Sequence, residues 1–175
     1  MNSYMEKNET CQSCEFDDNL GVLREIPFFS GLSLEALKLL AYLCVRETFK
    51  QDDYLFFQGD DDGRAFYIVS GKARLVHRND FGELEIRDFE KGDFLGSLSL
   101  VGNMRRLFSL KALTEMTCII LTREKFTKVI EQFPDLMPKA LKSIVENIRT
   151  WEERFIADHT ESCESCKHNI GVSLV

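Results

Sequence analysis

The spacing of apolar residues changes character along the chain. Leu20, Leu23 and Ile26 recur at helical intervals until Pro27 interrupts, and Ser33 is placed to cap a second helix carrying Leu37, Leu40, Ala41 and Val45. From about residue 47 to 122 the runs become short or alternating: 54–57, 65–69, 73–76, 84–89, 108–112 and 117–121. Turn material separates them, including Gln58-Gly59-Asp60, Ser70-Gly71, Asn79-Asp80-Phe81-Gly82 and Lys91-Gly92-Asp93. Strands this short, at this spacing, predict a β-sandwich or barrel. A helix is expected over 123–133, ending before Pro134.

A long helix should follow over 135–157, roughly 35 Å at 1.5 Å per residue. Its apolar positions Met137, Leu141, Ile144, Ile148, Trp151 and Phe155 follow a 4-3-4-3-4 spacing, the heptad seam of a two-helix coiled coil. The seam predicts a homodimer, because little chain remains beyond the helix to cover its far end. The alternative is that the stripe, helped by Val145 and Ile156, packs on the chain's own strands. Three segments result: a polar, cysteine-containing tail over 1–19, a folded domain over 20–157, and a second cysteine-containing tail over 158–175.

Composition agrees with a soluble globular domain: 175 residues, 44% hydrophobic and 29% charged. The net charge of −7 argues against nucleic acid as the main partner, since such binders need a basic face to neutralise phosphates. No apolar run reaches the roughly 18–20 residues a membrane span requires. The N-terminal residues lack the apolar stretch of a signal peptide, so a cytoplasmic location with reduced thiols is expected.

Several spaced motifs agree with the order of elements. They are Ile26-Pro27-Phe28-Phe29-Ser30-Gly31-Leu32-Ser33, Gln58-Gly59-Asp60, Phe66-Tyr67-Ile68-Val69-Ser70-Gly71-Lys72-Ala73-Arg74 and Lys91-Gly92-Asp93-Phe94-Leu95-Gly96. With the final long helix, they resemble the cyclic nucleotide-binding domain family, in particular the sensor half of catabolite-activator and fumarate-nitrate-regulator proteins. The resemblance covers about residues 20–157. It implies an α+β, mainly β fold: a jelly-roll-like antiparallel β-barrel flanked by N-terminal helices and a long C-terminal dimerisation helix.

The family holds its ligand on a short cassette, where a Gly-Glu pair meets the ribose and an Arg nine residues past the Glu pairs with the cyclic phosphate. Here Gly96 matches, Ser97 stands at the Glu position, and Arg106 lies nine residues beyond it. The ligand-binding set implied is Gly96, Ser97, Leu98, Arg106 and Leu107, for a cyclic nucleotide such as cyclic AMP or a related small anion. A guanidinium suits a phosphate because its planar fork donates two parallel charge-assisted hydrogen bonds. Ser97 is shorter and neutral, and Leu107 and Phe108 replace the family's small residues, filling space the phosphate needs. The other reading places Arg106 beside Arg105 on a solvated strand end, in a pocket that has lost its ligand.

Transcription-factor relatives carry a helix-turn-helix after the long helix; residues 159–175 show no recognition-helix pattern, so DNA binding is not expected. Output would pass to a downstream protein that the sequence does not identify.

Cys11, Cys14, Cys163 and Cys166 form two CxxC pairs, each spaced to grip one tetrahedral metal. Together they would complete a zinc or iron–sulfur centre, with His168 as a substitute ligand. The alternatives are free thiols or an oxidisable dithiol. Cys118 falls where fumarate-nitrate regulators place a late-strand cluster ligand, but Ile119, Ile120 and Leu121 beside it favour a buried apolar position, and Cys44 reads the same way. Asp60-Asp61-Asp62 reads as a solvated acidic loop rather than a cation site. No P-loop, HExxH or GxSxG motif is present, and no enzymatic activity is expected.

Overall fold

The computed structural model describes the backbone of residues 3–80 and 82–159, with side chains over 14–80, 82–150 and at 153. Helix α1 (Ser3–Glu25) leads into a 3-10 turn (Pro27–Phe29) and α2 (Leu34–Leu43). Eight strands follow: β1 (Val45–Phe49), β2 (Tyr54–Phe56), β3 (Arg64–Ser70), β4 (Lys72–Asn79), β5 (Gly82–Glu90), β6 (Phe94–Leu95), β7 (Ser109–Ala112) and β8 (Met116–Thr122). The short helix α3 (Ser97–Val101) lies between β6 and β7, and α4 (Arg123–Gln132) and α5 (Leu136–His159) close the chain.

The strands form two antiparallel four-stranded sheets, β1-β8-β3-β6 and β2-β7-β4-β5. The jelly-roll-like barrel implied by the resemblance is therefore corrected to two open sheets. Closure needs edge strands long enough to carry a ladder, and β6 has two residues and β2 three.

Alternation along β3 and β8 explains their nearly continuous apolar runs. Phe66, Ile68, Cys118 and Ile120 fill the core between the sheets with Leu55, Phe56 and Leu110. Ala65, Tyr67, Ile119 and Leu121 face the other way, into a second core with Phe28, Phe29, Leu40 and Phe126 from the helical layer. A sheet covered on both sides loses the polar alternation of a half-exposed one. By contrast β5, an edge strand, is exposed at nearly every position.

Local chemistry sets the boundaries. Ser33 Oγ accepts the Ala36 amide at 3.2 Å as the cap of α2, as expected. Gly71, between β3 and β4, has φ of 89°, and a Cβ there would overlap Met116 and the Glu115 carbonyl. Gly71→Ala should therefore lower stability by about 2–3 kcal/mol through backbone strain and overlap, measured by urea unfolding.

Two sequence expectations are corrected by the helices. The segment read as a polar tail is helical from Ser3 onward; it contains no Gly or Pro before Gly21, so nothing stops the helix that Leu20 and Leu23 anchor. Arg46 Nε donates to the buried Asn19 Oδ1 at 2.9 Å and joins α1 to β1. In α5, Leu136, Ala140, Ser143 and Ile144 are buried against the body. The seam thus does not act as one face: Ile144 packs within the chain, while Leu141 and Ile148 are exposed, and Val145, expected to help the stripe pack on the body, is exposed as well. The apolar arc is wide enough for one flank to dock and the other to remain open. No helix among the described residues is long and apolar enough to cross a membrane.

Candidate functional site

The cassette begins where β6 ends. Gly96 precedes α3 with φ of 85°, and a Cβ on it would lie 2.7 Å from the Arg64 carbonyl oxygen and 3.0 Å from Arg106 Nη1. Only glycine meets both demands, conformation and closeness. The strand entering β7 is registered by paired backbone bonds: Gly59 N donates to the Arg106 carbonyl at 2.8 Å, and Arg106 N to that of Asp60 at 2.8 Å.

All five residues of the expected ligand set, Gly96, Ser97, Leu98, Arg106 and Leu107, line one cavity of about 250 Å³. Its remaining wall is Phe56, Leu75, Leu95, Met104 and Phe108, with Ser99 and the exposed Arg105. Leu107 does not plug it; the side chain is 65% exposed, at the rim. Phe108 packs edge-on against His77, ring centroids 5.7 Å apart.

Arg106 is not on a solvated strand end. Its side chain is 9% exposed, and its guanidinium carbon lies 4.1 Å from the Phe56 ring centroid. Nε and Nη2 donate to Asp62 Oδ1 at 3.0 and 2.7 Å, and Nη2 also donates to the Arg64 carbonyl. Among the described residues Nη1 has no protein acceptor, and it is the nitrogen beside Gly96. One edge of the guanidinium is anchored while the other faces the cassette.

The acidic loop does more than the sequence suggested. Asp60 accepts the Phe57 amide at 3.1 Å, closing its own turn. Asp61 pairs with Arg123, whose hydrogen bond holds the Asp61 carboxyl below its ordinary pKa. Asp62 pairs with Arg106 and also receives Arg64 Nε at 3.1 Å. Arg123 in turn donates to the Ser99 carbonyl and to Asn103 Oδ1, both at 2.8 Å, so it ties the loop and α4 to the cassette helix. Three arginines (64, 106 and 123) face three carboxylates (Glu47, Asp61 and Asp62), and the cluster is neutral. Asp62, Arg64 and Arg123 were missed in the sequence; the only trace was an acidic triplet in a chain that also places arginines at 105 and 106.

The cysteine reading gains no support. Cys14 is an exposed free thiol on α1, Cys11 lies one turn earlier on that helix, and Cys163 and Cys166 fall outside the described residues. Among the described residues no cluster of three or more His, Cys, Asp or Glu could hold a metal. Cys44 and Cys118 are buried, and desolvation pushes each thiol up to about 12. Cys118 sits between the two sheets as an apolar residue, not as a cluster ligand.

Two facing sheets with helical flanks, and a glycine-led cassette enclosing a buried arginine, define a ligand-binding β-domain. Residues 46–133, half of the chain, match the cyclic nucleotide-binding domain model, and the chain belongs to that family. It is 32% identical over 110 residues to the cyclic AMP receptor protein of Thermus thermophilus, covering 62% of this chain and 50% of the relative. It is 26% identical over 127 residues to cGMP-dependent protein kinase, isozyme 1, of Drosophila melanogaster, covering 70% of this chain and 16% of the kinase. The match thus spans half or less of these sequence relatives. Among solved structures, the cyclic nucleotide-binding-like protein from Brucella abortus superposes with a TM-score of 0.61 at 30% identity, over 65% of this chain and 98% of that one.

Proposed function

We propose that this chain is a regulatory module that takes a cyclic nucleotide, or a closely related small anion, in the cassette cavity and passes its occupancy to another protein through α5. The observation that carries the reading is the convergence of Gly96, Ser97, Leu98, Arg106 and Leu107 on one cavity, with Arg106 Nη1 turned toward Gly96. In this reading Arg106 holds the phosphate and the Ser97 hydroxyl meets the sugar. Leu98, Met104 and Leu107 cover the apolar part of the ligand. Relatives named for cyclic AMP and cGMP support the ligand class. The mechanism is a population shift: a ligand that binds one arrangement of α3 and α5 better than another biases the equilibrium by that difference. The net charge of −7 favours a protein over a nucleic-acid backbone as the receiver, within the cytoplasm.

Calorimetric titration with cyclic AMP and cyclic GMP tests the reading. Micromolar binding with one site per chain is expected; absence of binding by both nucleotides overturns the cyclic-nucleotide assignment.

The exposed Leu141, Val145 and Ile148 flank is the surface through which a second copy would dock in this reading. Leu141→Glu should then shift a dimer to a monomer in sedimentation velocity, leaving the thermal midpoint of the folded body nearly unchanged, because the side chain is not in the core.

A further inference from the structure

A second cavity, of about 350 Å³, lies between the end of α1, the 3-10 turn, the β5–β6 turn and α5. Its wall contains the rings of Phe28, Phe94 and Tyr67, the carboxylates of Glu25 and Asp93, and Asn147 of α5; no Lys, Arg or His lines it. It meets the cassette cavity at Ser97, which lines both.

Three features of this cavity point the same way. First, its charge is negative and unmatched: Glu25 forms no ion pair among the described residues, and Asp93 commits only Oδ2, which accepts the Glu90 amide at 2.8 Å. Second, Tyr67 is 9% exposed, yet its hydroxyl has no hydrogen-bond partner among the described residues. A buried polar group without a partner carries a desolvation cost that a bound ligand can remove. Burial, and then the Glu25 charge, push its pKa above the ordinary value. Third, aromatic faces beside carboxylates attract an organic cation through both the ring quadrupole and the ionic charge. Phe28 and Phe94, with centroids 5.8 Å apart, both line the cavity.

We propose that this cavity is a second ligand site, for a small organic ammonium ion, at the joint between the sheets and α5. The ammonium sits against Glu25 and Asp93, the apolar part lies along Phe28 and Phe94, and Tyr67 supplies the hydrogen bond. Asn147 brings α5 into the same site, so an occupant contacts both the body and the helix. Arg106 is not part of this site, which meets the cassette only at Ser97.

The full chain is titrated at low ionic strength with benzylamine and, as its uncharged counterpart, benzyl alcohol. Benzylamine should bind saturably, one per chain, and benzyl alcohol roughly tenfold more weakly. Glu25→Gln, at an exposed position that does not threaten folding, should weaken benzylamine by roughly tenfold. Tyr67→Phe should weaken it severalfold without lowering the thermal midpoint, since it removes an unpartnered buried hydroxyl. Arg106→Ala should leave it unaltered, which separates this site from the cassette. The proposal is overturned by no saturable benzylamine binding, by equal binding of the alcohol, by an unaffected Glu25→Gln protein, or by loss of binding in Arg106→Ala.

Discussion

Arg106→Ala is expected to weaken cyclic-nucleotide binding by about 100-fold or more, because it removes the only buried cation on the cassette wall. Arg106→Lys should recover little. An ammonium keeps the charge but cannot donate to Asp62 and the Arg64 carbonyl from one edge while presenting another nitrogen beside Gly96. Calorimetry on parent, Ala and Lys proteins reads both effects. Full affinity in the Ala protein would remove Arg106 from the site. Stability should fall in the Ala protein too, by about 1–3 kcal/mol, less than for a fully orphaned charge, since Asp62 retains Arg64 at 3.1 Å.

Asp62→Ala should have the larger effect on the fold. Its carboxylate is 13% exposed and serves Arg106 and Arg64 together. Removing it leaves two guanidinium groups partly buried, with Glu47 4.0 Å from Arg64 and with Asp61 already paired to Arg123. A loss of about 2–4 kcal/mol is expected, or roughly 5–12 °C in the thermal midpoint for a chain of this size. The same substitution turns a neutral cluster positive. Cyclic AMP should therefore raise the midpoint of the Asp62→Ala protein by more than it raises that of the parent. Thermal melts with and without the nucleotide decide the matter. An equal or smaller shift in the variant would mean that Asp62 serves to orient Arg106 rather than to neutralise it.

The positions of Arg106 and Asp62 also show what a linear reading can recover. Arg106 was legible because it stands at a fixed interval from Gly96 in a recognisable cassette. Asp62 was not, because an acidic triplet between two glycines has the composition of a solvated turn. Its role follows from the folded path of β2, β3 and β7, which brings residue 62 to residue 106. Likewise Leu107 reads as an obstruction from its size, yet it sits on the rim, because strand direction decides where a side chain goes.

Helix α5 divides in the same way. Its apolar spacing correctly announced a long amphipathic helix, but spacing alone does not say which flank meets the body. Packing assigned Leu136, Ala140 and Ile144 to the chain's own core and left Leu141, Val145 and Ile148 open. The barrel expectation failed for a related reason. Periodicity locates strands, whereas closure depends on the lengths and pairing of edge strands that are distant in sequence.

Local physics therefore determined most of the elements and the cap at Ser33, because each depends on neighbours within a few positions, while the resemblance to the family supplied the cassette's residues. Sheet closure, the burial of Arg106 against Asp62, the Arg123 tie to α3 and the Tyr67 cavity depend on contacts between segments tens of residues apart. Those contacts exist only after the two sheets and the helical layer have packed, and no short-range pattern encodes them.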